Sequence, residues 1–323
     1  MTLVTLRSRA KDFDFAPFPN SWFQVAWSHE LPRRGVRPVS ALGRELVLFR
    51  GEDGQARALD AYCSHLGAHL GVGGTVEGNE IRCPFHGWRF DGAGACTSIP
   101  CATKIPARAA MRAWSVREMD GLIFVWHDAA GREPWFEVPR APELDSSEWS
   151  KPRFVARTIR TRWRELCENA VDRLHFHALH EYPEPPTLDF KTDGPRYSMR
   201  SSVRWKMLGR VHDMRLDIDA HGAGFAITRG RHPLAPFVVV SSTVPIDEST
   251  IVQRMTFAVS KKIPFPLRAL ARRVVIDAAM REFSRDVPIW ENKICVERPV
   301  LCEADGPIPR FRKWARQFEP LTT

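Results

Sequence analysis

Two stretches of this chain, AYCSHLGAHLGVGG at residues 61–74 and IRCPFHGWRFDGAG at residues 81–94, decide how the rest of it is read. Each places one cysteine beside one histidine, Cys63-x-His65 and Cys83-x2-His86, with 17 residues between His65 and Cys83. Each pair follows a strand-like run and stands next to glycines, the composition of a loop between short strands. Working outward, SWFQVAW, ELVLFR, ARALDAYC, WRFD and LIFVWH are β-rich runs cut at residues 51–54, 71–74 and 92–94 by further glycines. The spacing predicts a small antiparallel β-domain whose two loops bring two thiols and two imidazoles together.

That donor set has two readings. A structural zinc accepts Cys2His2 tetrahedrally. A Rieske [2Fe–2S] centre holds one iron by two Cys and the other by two His. Zinc sites usually pair Cys with Cys and His with His, whereas here each loop supplies one of each, which favours the cluster.

The two loops and their C-x-H, x17, C-x2-H spacing resemble the cluster-binding loops of Rieske proteins. The resemblance implies that Cys63 and Cys83 bind the inner iron and His65 and His86 the outer, redox-active one. Respiratory Rieske proteins carry a further Cys in each loop, where this chain has Ala68 and Phe85, so the likeness is to the oxygenase or ferredoxin type. Cys96 and Cys101 are read as ordinary small core residues and His69 as a structural residue.

About 190 residues follow the region that a Rieske ferredoxin would need. A polar, proline-bearing stretch at 128–152 is the candidate linker, so that residues 1–145 form the first domain with its N-terminal arm and residues 146–323 the second. WRELCENAVDRLHFHALH has no Gly or Pro and ends before Pro183, Pro185 and Pro186, which predicts a helix from Arg162 to His180. YSMRSSVRWKM, MRLDIDA, FVVVSSTV and IVQRMTFAVS then alternate as a second antiparallel sheet, and residues 268–296 return to helical spacing. The expected class is α+β: a small all-β domain, then a helix-grip-like domain with an antiparallel sheet and helices.

The helical stretch concentrates Glu168, Asn169, Asp172, His175, His177 and His180. Two imidazoles and one carboxylate on one face of Fe(II) leave positions open for oxygen and a reacting group. At about 100° per residue, Glu168, Asp172 and His175 share a face, while His180 falls roughly 140° round from His175, so the helix must distort or end near His180. His177 is displaced from His175 and is assigned to packing around the site. A third ligand must come from farther along the chain, and Asp277, Glu282, Asp286, Glu291 and Glu297 are the candidates.

N-x2-D-x2-H-x4-H, formed by Asn169, Asp172, His175 and His180, resembles the mononuclear iron motif of Rieske oxygenases. SRDVPIWENK at 284–293, with RPVLCEADGP and FRKWARQF beyond it, resembles the C-terminal region of the 3-ketosteroid 9α-hydroxylase oxygenases. PFPNSWFQVAWSHEL at 17–31 and the cluster loops resemble the Neverland-type cholesterol 7-desaturases. These likenesses imply Asp286 as the third iron ligand, with His175 and His180. They imply that Asp172 bridges a cluster His of one subunit to an iron-ligand His of the next in a head-to-tail homotrimer, with Asn169 beside it. The implied activity is that of a terminal oxygenase using O2 and electrons from NAD(P)H on a steroid or sterol. Hydroxylation or demethylation is the main expectation, with C-7 desaturation, a non-steroid hydrophobic or aromatic substrate, or simple electron carriage as the alternatives. No G-x-G-x-x-G fingerprint or flavin motif is present, so the electrons must come through a separate reductase or ferredoxin. The apolar strands FVVVSSTVP and IVQRMTFAV are expected to line a pocket for a greasy substrate.

Charge and composition set the remaining bounds. At 44% hydrophobic and 26% charged residues the chain is globular rather than disordered. The net charge of +9 points to an acidic partner, and an electron donor docking near the cluster fits it better than nucleic acid, for which no recognition motif is present. Seven Cys is an odd number and residues 1–15 lack an apolar stretch of signal length, so a cytoplasmic chain with reduced thiols is expected. The most apolar window, 263–279, is broken by two prolines and by Arg268, Arg272 and Arg273, and cannot span a bilayer. As a basic amphipathic segment it is read first as a solvated helix face.

Overall fold

The computed structural model describes residues 16–207, 210–231, 236–296 and 298–320; Glu297 and the first 15 residues, with the apolar-stretch reading made on them, lie outside the described residues. The first half is all β. Strands β1 (Ser21–Trp27), β2 (Val36–Ala41), β3 (Arg44–Arg50) and β4 (Ala56–Asp60) precede the first loop. Then β5 (Thr75–Glu77) and β6 (Glu80–Arg82) lead into the second, and β7 (Arg89–Phe90), β8 (Cys96–Ser98), β9 (Ala113–Trp114), β10 (Val116–Met119) and β11 (Leu122–His127) follow. They form three antiparallel sheets in the orders β1-β11-β10, β2-β3-β4-β9 and β5-β6-β7-β8. Pro38 sits in β2, an edge strand, where a missing N–H costs no ladder bond.

β1 is buried along its whole length because both of its faces are covered. A bulge between Gln24 and Ala26 breaks its register against β11. One extra residue reverses the alternation, so Phe23, Val25 and Ala26 join one core while Trp22 and Trp27 join the other.

The stretch 128–152 contains no strand, as expected of a connection, but it is packed rather than free. Val138, Ala141 and Leu144 are buried against Trp22 and Trp126, and the Trp22 indole Nε1–H donates to the Phe136 carbonyl at 2.7 Å.

The second half begins with β12 (Arg153–Ile159), continues through two short helices, α1 (Trp163–Asn169) and α2 (Leu174–Ala178), and then lays down six strands: β13 (Thr187–Asp193), β14 (Arg196–Met207), β15 (Arg210–His221), β16 (Phe225–Arg231), β17 (Phe237–Pro245) and β18 (Ile251–Val259). Together with β12 they make one seven-stranded antiparallel sheet ordered β12-β18-β17-β16-β15-β14-β13. Two helices close the chain, α3 (Leu267–Asn292) and α4 (Ile308–Ala315). This is the expected α+β arrangement, with one difference. Val238, Val240 and Ala258 of β17 and β18 pack against Trp22, Phe124 and Trp126 of the first half, so these apolar side chains join the two halves, while Ser241, Thr243 and Gln253 of the same strands border a cavity beneath the helical segment.

Candidate metal centres

The two Cys-His loops are built alike. In the first, the Cys63 N–H donates to the Ala68 carbonyl at 2.9 Å and the Gly67 N–H to the Cys63 carbonyl at 2.9 Å. In the second, the Cys83 N–H donates to the Trp88 carbonyl at 2.8 Å and the Gly87 N–H to the Cys83 carbonyl at 3.1 Å. The residue four places after each Cys is a glycine with φ of 73°, a left-handed conformation that a Cβ would strain.

Both thiols are buried, and all seven cysteines of the chain are free. Burial, together with the neighbouring Cys83 thiol, pushes the Cys63 thiol up to about 11. His65 and His86 meet with ring centroids 4.7 Å apart, and Trp88 stacks on His65 at 4.4 Å, fixing the plane of its ring. His86 is exposed; His65 is half-buried, and its Nδ1 is buried with no hydrogen-bond partner. Two paired thiols and an orphaned imidazole nitrogen facing inward are a donor set that fits a [2Fe–2S] cluster.

Nearby residues behave as structure. The His69 Nδ1 accepts the Gly71 N–H at 3.0 Å, and Cys96 is buried. Cys101 corrects the expectation of a core residue: it is exposed, at a φ of 61°.

The second group forms where the predicted single helix breaks. The Asp172 Oδ1 accepts the backbone N–H groups of Leu174 at 3.0 Å and His175 at 3.4 Å, capping α2 and ending the continuity with α1. After Leu179 the chain widens, and the His180 N–H donates to the His175 carbonyl at 3.3 Å, a five-residue step. That wider turn removes the angular mismatch of an ideal helix and leaves the His175 and His180 rings 5.0 Å apart.

The ligand atoms of His175, His180 and Asp286 all lie within 4.8 Å of one another. The His175 Nδ1–H donates to the Asp172 carbonyl at 2.6 Å, so the ring's Nε2 carries the lone pair, which accepts the Asn169 amide at 3.1 Å. Burial holds His175 below the usual imidazole range and keeps it neutral. His180 stands between two carboxylates, its Nε2 3.3 Å from Asp286 Oδ1 and its Nδ1 2.6 Å from Glu282 Oε2. The second contact is close but not aligned along the ring N–H, so it is an ion pair rather than a hydrogen bond. Burial disfavours a charged His180, but Asp286 and Glu282 outweigh it and hold its pKa up at about 9. Two carboxylates around one proton leave surplus negative charge, which a divalent cation coordinated by His175, His180 and Asp286 neutralises. The donor set fits a mononuclear iron.

The other candidates have different partners. Glu168 is buried in a two-bond ion pair with Arg312 of α4, at 2.6 and 2.8 Å. Asp277 faces Arg273, and Glu291 meets the Arg160 backbone N–H. His177 is exposed, and its Nδ1–H donates to the Tyr182 carbonyl at 2.6 Å, which holds the chain just beyond His180. The position of Glu282 beside His180 was not deduced from the sequence, although its spacing of four residues from Asp286 on α3 puts both on one helix face. A cavity of 80 Å³ beneath α1, bordered by Trp163, Cys167 and Tyr197 and by Ser241, Thr243 and Gln253 of β17 and β18, is far below the roughly 300–1,000 Å³ of small-molecule sites.

Comparison with known proteins covers both halves of the chain. The profile described as the Rieske [2Fe-2S] domain matches residues 21–110, and that described as the 3-ketosteroid 9alpha-hydroxylase C-terminal domain matches residues 125–318. A cholesterol 7-desaturase of Bombyx mori is 36% identical over 326 residues, covering 94% of this chain and 70% of its own. A probable 3-ketosteroid-9-alpha-monooxygenase oxygenase component of Rhodococcus rhodochrous is 35% identical over 304 residues, covering 87% and 74%. Among solved structures, apo dicamba monooxygenase superimposes with a TM-score of 0.74 at 20% identity, over 94% of this chain and 98% of that one. NdmA of Pseudomonas putida CBB5 with caffeine gives 0.74 at 22% identity, over 91% and 89%. The likeness of the solved structures is one of fold, and the profile matches and curated relatives carry the assignment: this chain belongs to the Rieske non-haem iron monooxygenases, as an oxygenase component.

Proposed function

We propose that the chain is the terminal oxygenase of a monooxygenase system that hydroxylates a steroid or sterol, or removes a methyl group from it by repeated attack. The observation that carries the catalytic reading is the meeting of His175 and His180 with Asp286 from a distant helix. A simple electron carrier has no use for that second donor set. The substrate class is supported by the relatives, since both the desaturase of Bombyx mori and the monooxygenase component of Rhodococcus rhodochrous are named for steroids. The 36% identity to the former keeps C-7 desaturation as the second reading.

With Cys63, Cys83, His65 and His86 holding the cluster and His175, His180 and Asp286 holding iron, the two groups would supply single electrons and oxygen activation at a C–H bond. The chain's own residues prepare that site. The Asp172 carbonyl fixes the His175 tautomer, the Asn169 amide orients the same ring, and Glu282 flanks the far edge of His180. Among the described residues no hydrogen bond or ion pair joins His86 to Asp172 within one chain. The Asp172 carboxylate is partly exposed, and its Oδ2 is 4.0 Å from His175 Nδ1, which suits a bridge to His86 of a neighbouring copy in a head-to-tail homotrimer. Electrons enter from a ferredoxin or flavin reductase drawing on NAD(P)H. The compartment is the cytoplasm, where the five cysteines outside the cluster site remain reduced thiols.

The test is anaerobic reduction of the iron-loaded protein followed by oxygen, with a panel of sterols and ketosteroids and mass analysis of the products. A gain of one oxygen atom supports hydroxylation, and a loss of two hydrogens supports desaturation. Failure on every steroid, with the cluster reoxidising normally, would defeat the substrate assignment.

A further inference from the structure

Among the described residues, the first five turns of α3 are only partly covered. Of its 26 residues only Asp286, Val287 and Trp290 are buried, all near the C-terminal end. At about 100° per residue, Ala269, Arg272 and Ile276 lie on the side that borders β12, where a groove of 410 Å³ separates the helix from Arg153 and Phe154. Leu267, Leu270 and Val274 fall on the opposite side, and the first two are 59% and 60% exposed. Just before the helix, Phe265 stands 77% exposed between two prolines. The turn that carries it is anchored, with Ile263 buried and the Lys261 N–H bonded to the Glu148 carbonyl at 2.8 Å.

The charge around this apolar stripe is predominantly basic. Residues 261–281 hold six basic side chains, Lys261, Lys262, Arg268, Arg272, Arg273 and Arg281, and one acid, Asp277, which faces Arg273 at 3.5 Å. Their net of +5 (6 − 1) is more than half of the +9 of the whole chain, in 21 residues. A protruding aromatic, two exposed leucines and flanking lysines and arginines are complementary to one kind of surface: anionic headgroups over an acyl boundary. We propose that this face, from Lys261 to Arg281, docks the protein on an anionic lipid bilayer, with Phe265, Leu267 and Leu270 entering the interface and the basic residues other than Arg272, which borders β12, meeting the headgroups. No helix among the described residues is long and apolar enough to cross a membrane, so the contact is peripheral. Asp286 lies about 28 Å along the same helix from Leu267, which keeps the docking end apart from the metal centre. The inference stands on α3 and its charges and does not depend on the steroid reading.

The test is co-sedimentation of the iron-loaded protein with vesicles of phosphatidylcholine alone and of phosphatidylcholine mixed equally with phosphatidylglycerol, at low and high salt. Binding is expected on the anionic vesicles only and to weaken with salt. The pair Lys261→Ser and Lys262→Ser should lower it roughly 30-fold, since each basic residue is worth about fivefold near such a surface. The pair Phe265→Ser and Leu270→Ser should lower it as well, with cluster absorption and iron content unchanged as the control for folding. Equal binding to both vesicles, binding to neither, or variants that bind as the parent does would overturn the proposal. So would a serine pair that changes the mass of the assembly by light scattering but not its vesicle binding, which would assign the face to a second copy of the chain.

Discussion

Asp172 makes two kinds of contact, and they can be separated. Its backbone carbonyl holds the His175 Nδ1–H, while its carboxylate caps α2 through Oδ1 and leaves Oδ2 partly exposed. Asp172→Asn keeps the carbonyl and one capping oxygen, so both metals should stay bound and the cluster should remain reducible. What it loses is the charge and second acceptor proposed to bridge subunits, and turnover should fall on the order of 10- to 100-fold. Iron analysis with turnover of the reduced protein checks this, and near-normal turnover removes the bridge. Asp286→Ala acts on the donor set directly. Iron should drop from about three to about two per chain while the cluster absorption persists, since the cluster accounts for two. Glu282→Ala, which leaves all three donors in place, should weaken the mononuclear metal by about 10- to 100-fold without abolishing it. Equilibrium dialysis of the metal-free site distinguishes the two.

At the scale of elements, the same titration logic reaches a strand far from either centre. His221 ends β15, and burial, with Arg196 next to it, pulls its pKa down from 6.5 to about 4. The folded state therefore binds this proton less readily than the unfolded one, and stability is lost as pH falls from about 6.5 towards about 4. His221→Asn should flatten the pH dependence of the urea midpoint in that window and leave the midpoint above pH 7 little changed. An unaltered acid limb would mean that other groups carry it.

The legibility of the sequence varies by element for physical reasons. Long strands with uninterrupted apolar patterning, such as β1, β11, β17 and β18, were readable from residue type alone. β2 was not, because Pro38 is tolerated only by its edge position, which is a tertiary fact. Of the two- and three-residue strands of the cluster domain, β7 lies within the WRFD run, while β5, β6, β8 and β9 carry too few side chains to show a period. The stretch 162–180 was read as one helix because no residue in it is a breaker. The break comes from Asp172 turning its side chain onto its own backbone, a competition that composition leaves undecided. The donor types and their spacing were legible, and so were the candidate carboxylates. The family resemblance singles out Asp286 among them; helical period alone does not, because Glu282, four residues earlier, shares its helix face and also meets His180.

For the whole molecule, the main consequence is that the two halves share their cores. Phe23, Val25 and Leu46 of the first half lie in one cluster with Trp163, Tyr197 and Phe311 of the second, and a second cluster joins Trp22, Phe124 and Trp126 to Val238 and Val240. Neither half can lose its structure without exposing apolar surface of the other, so the two should unfold together even though they match separate families. Phe23 is fully buried at that junction. Phe23→Ala removes most of a ring from a site walled by strands of both halves, where collapse is limited, and should cost about 3–5 kcal/mol. The expected signature is a lower denaturant midpoint at which cluster bleaching and far-ultraviolet circular dichroism still coincide, because the shared core fails as a unit. Two separated transitions, with the cluster surviving after the seven-stranded sheet has melted, would show that the first half is stable alone and that the junction joins independent domains.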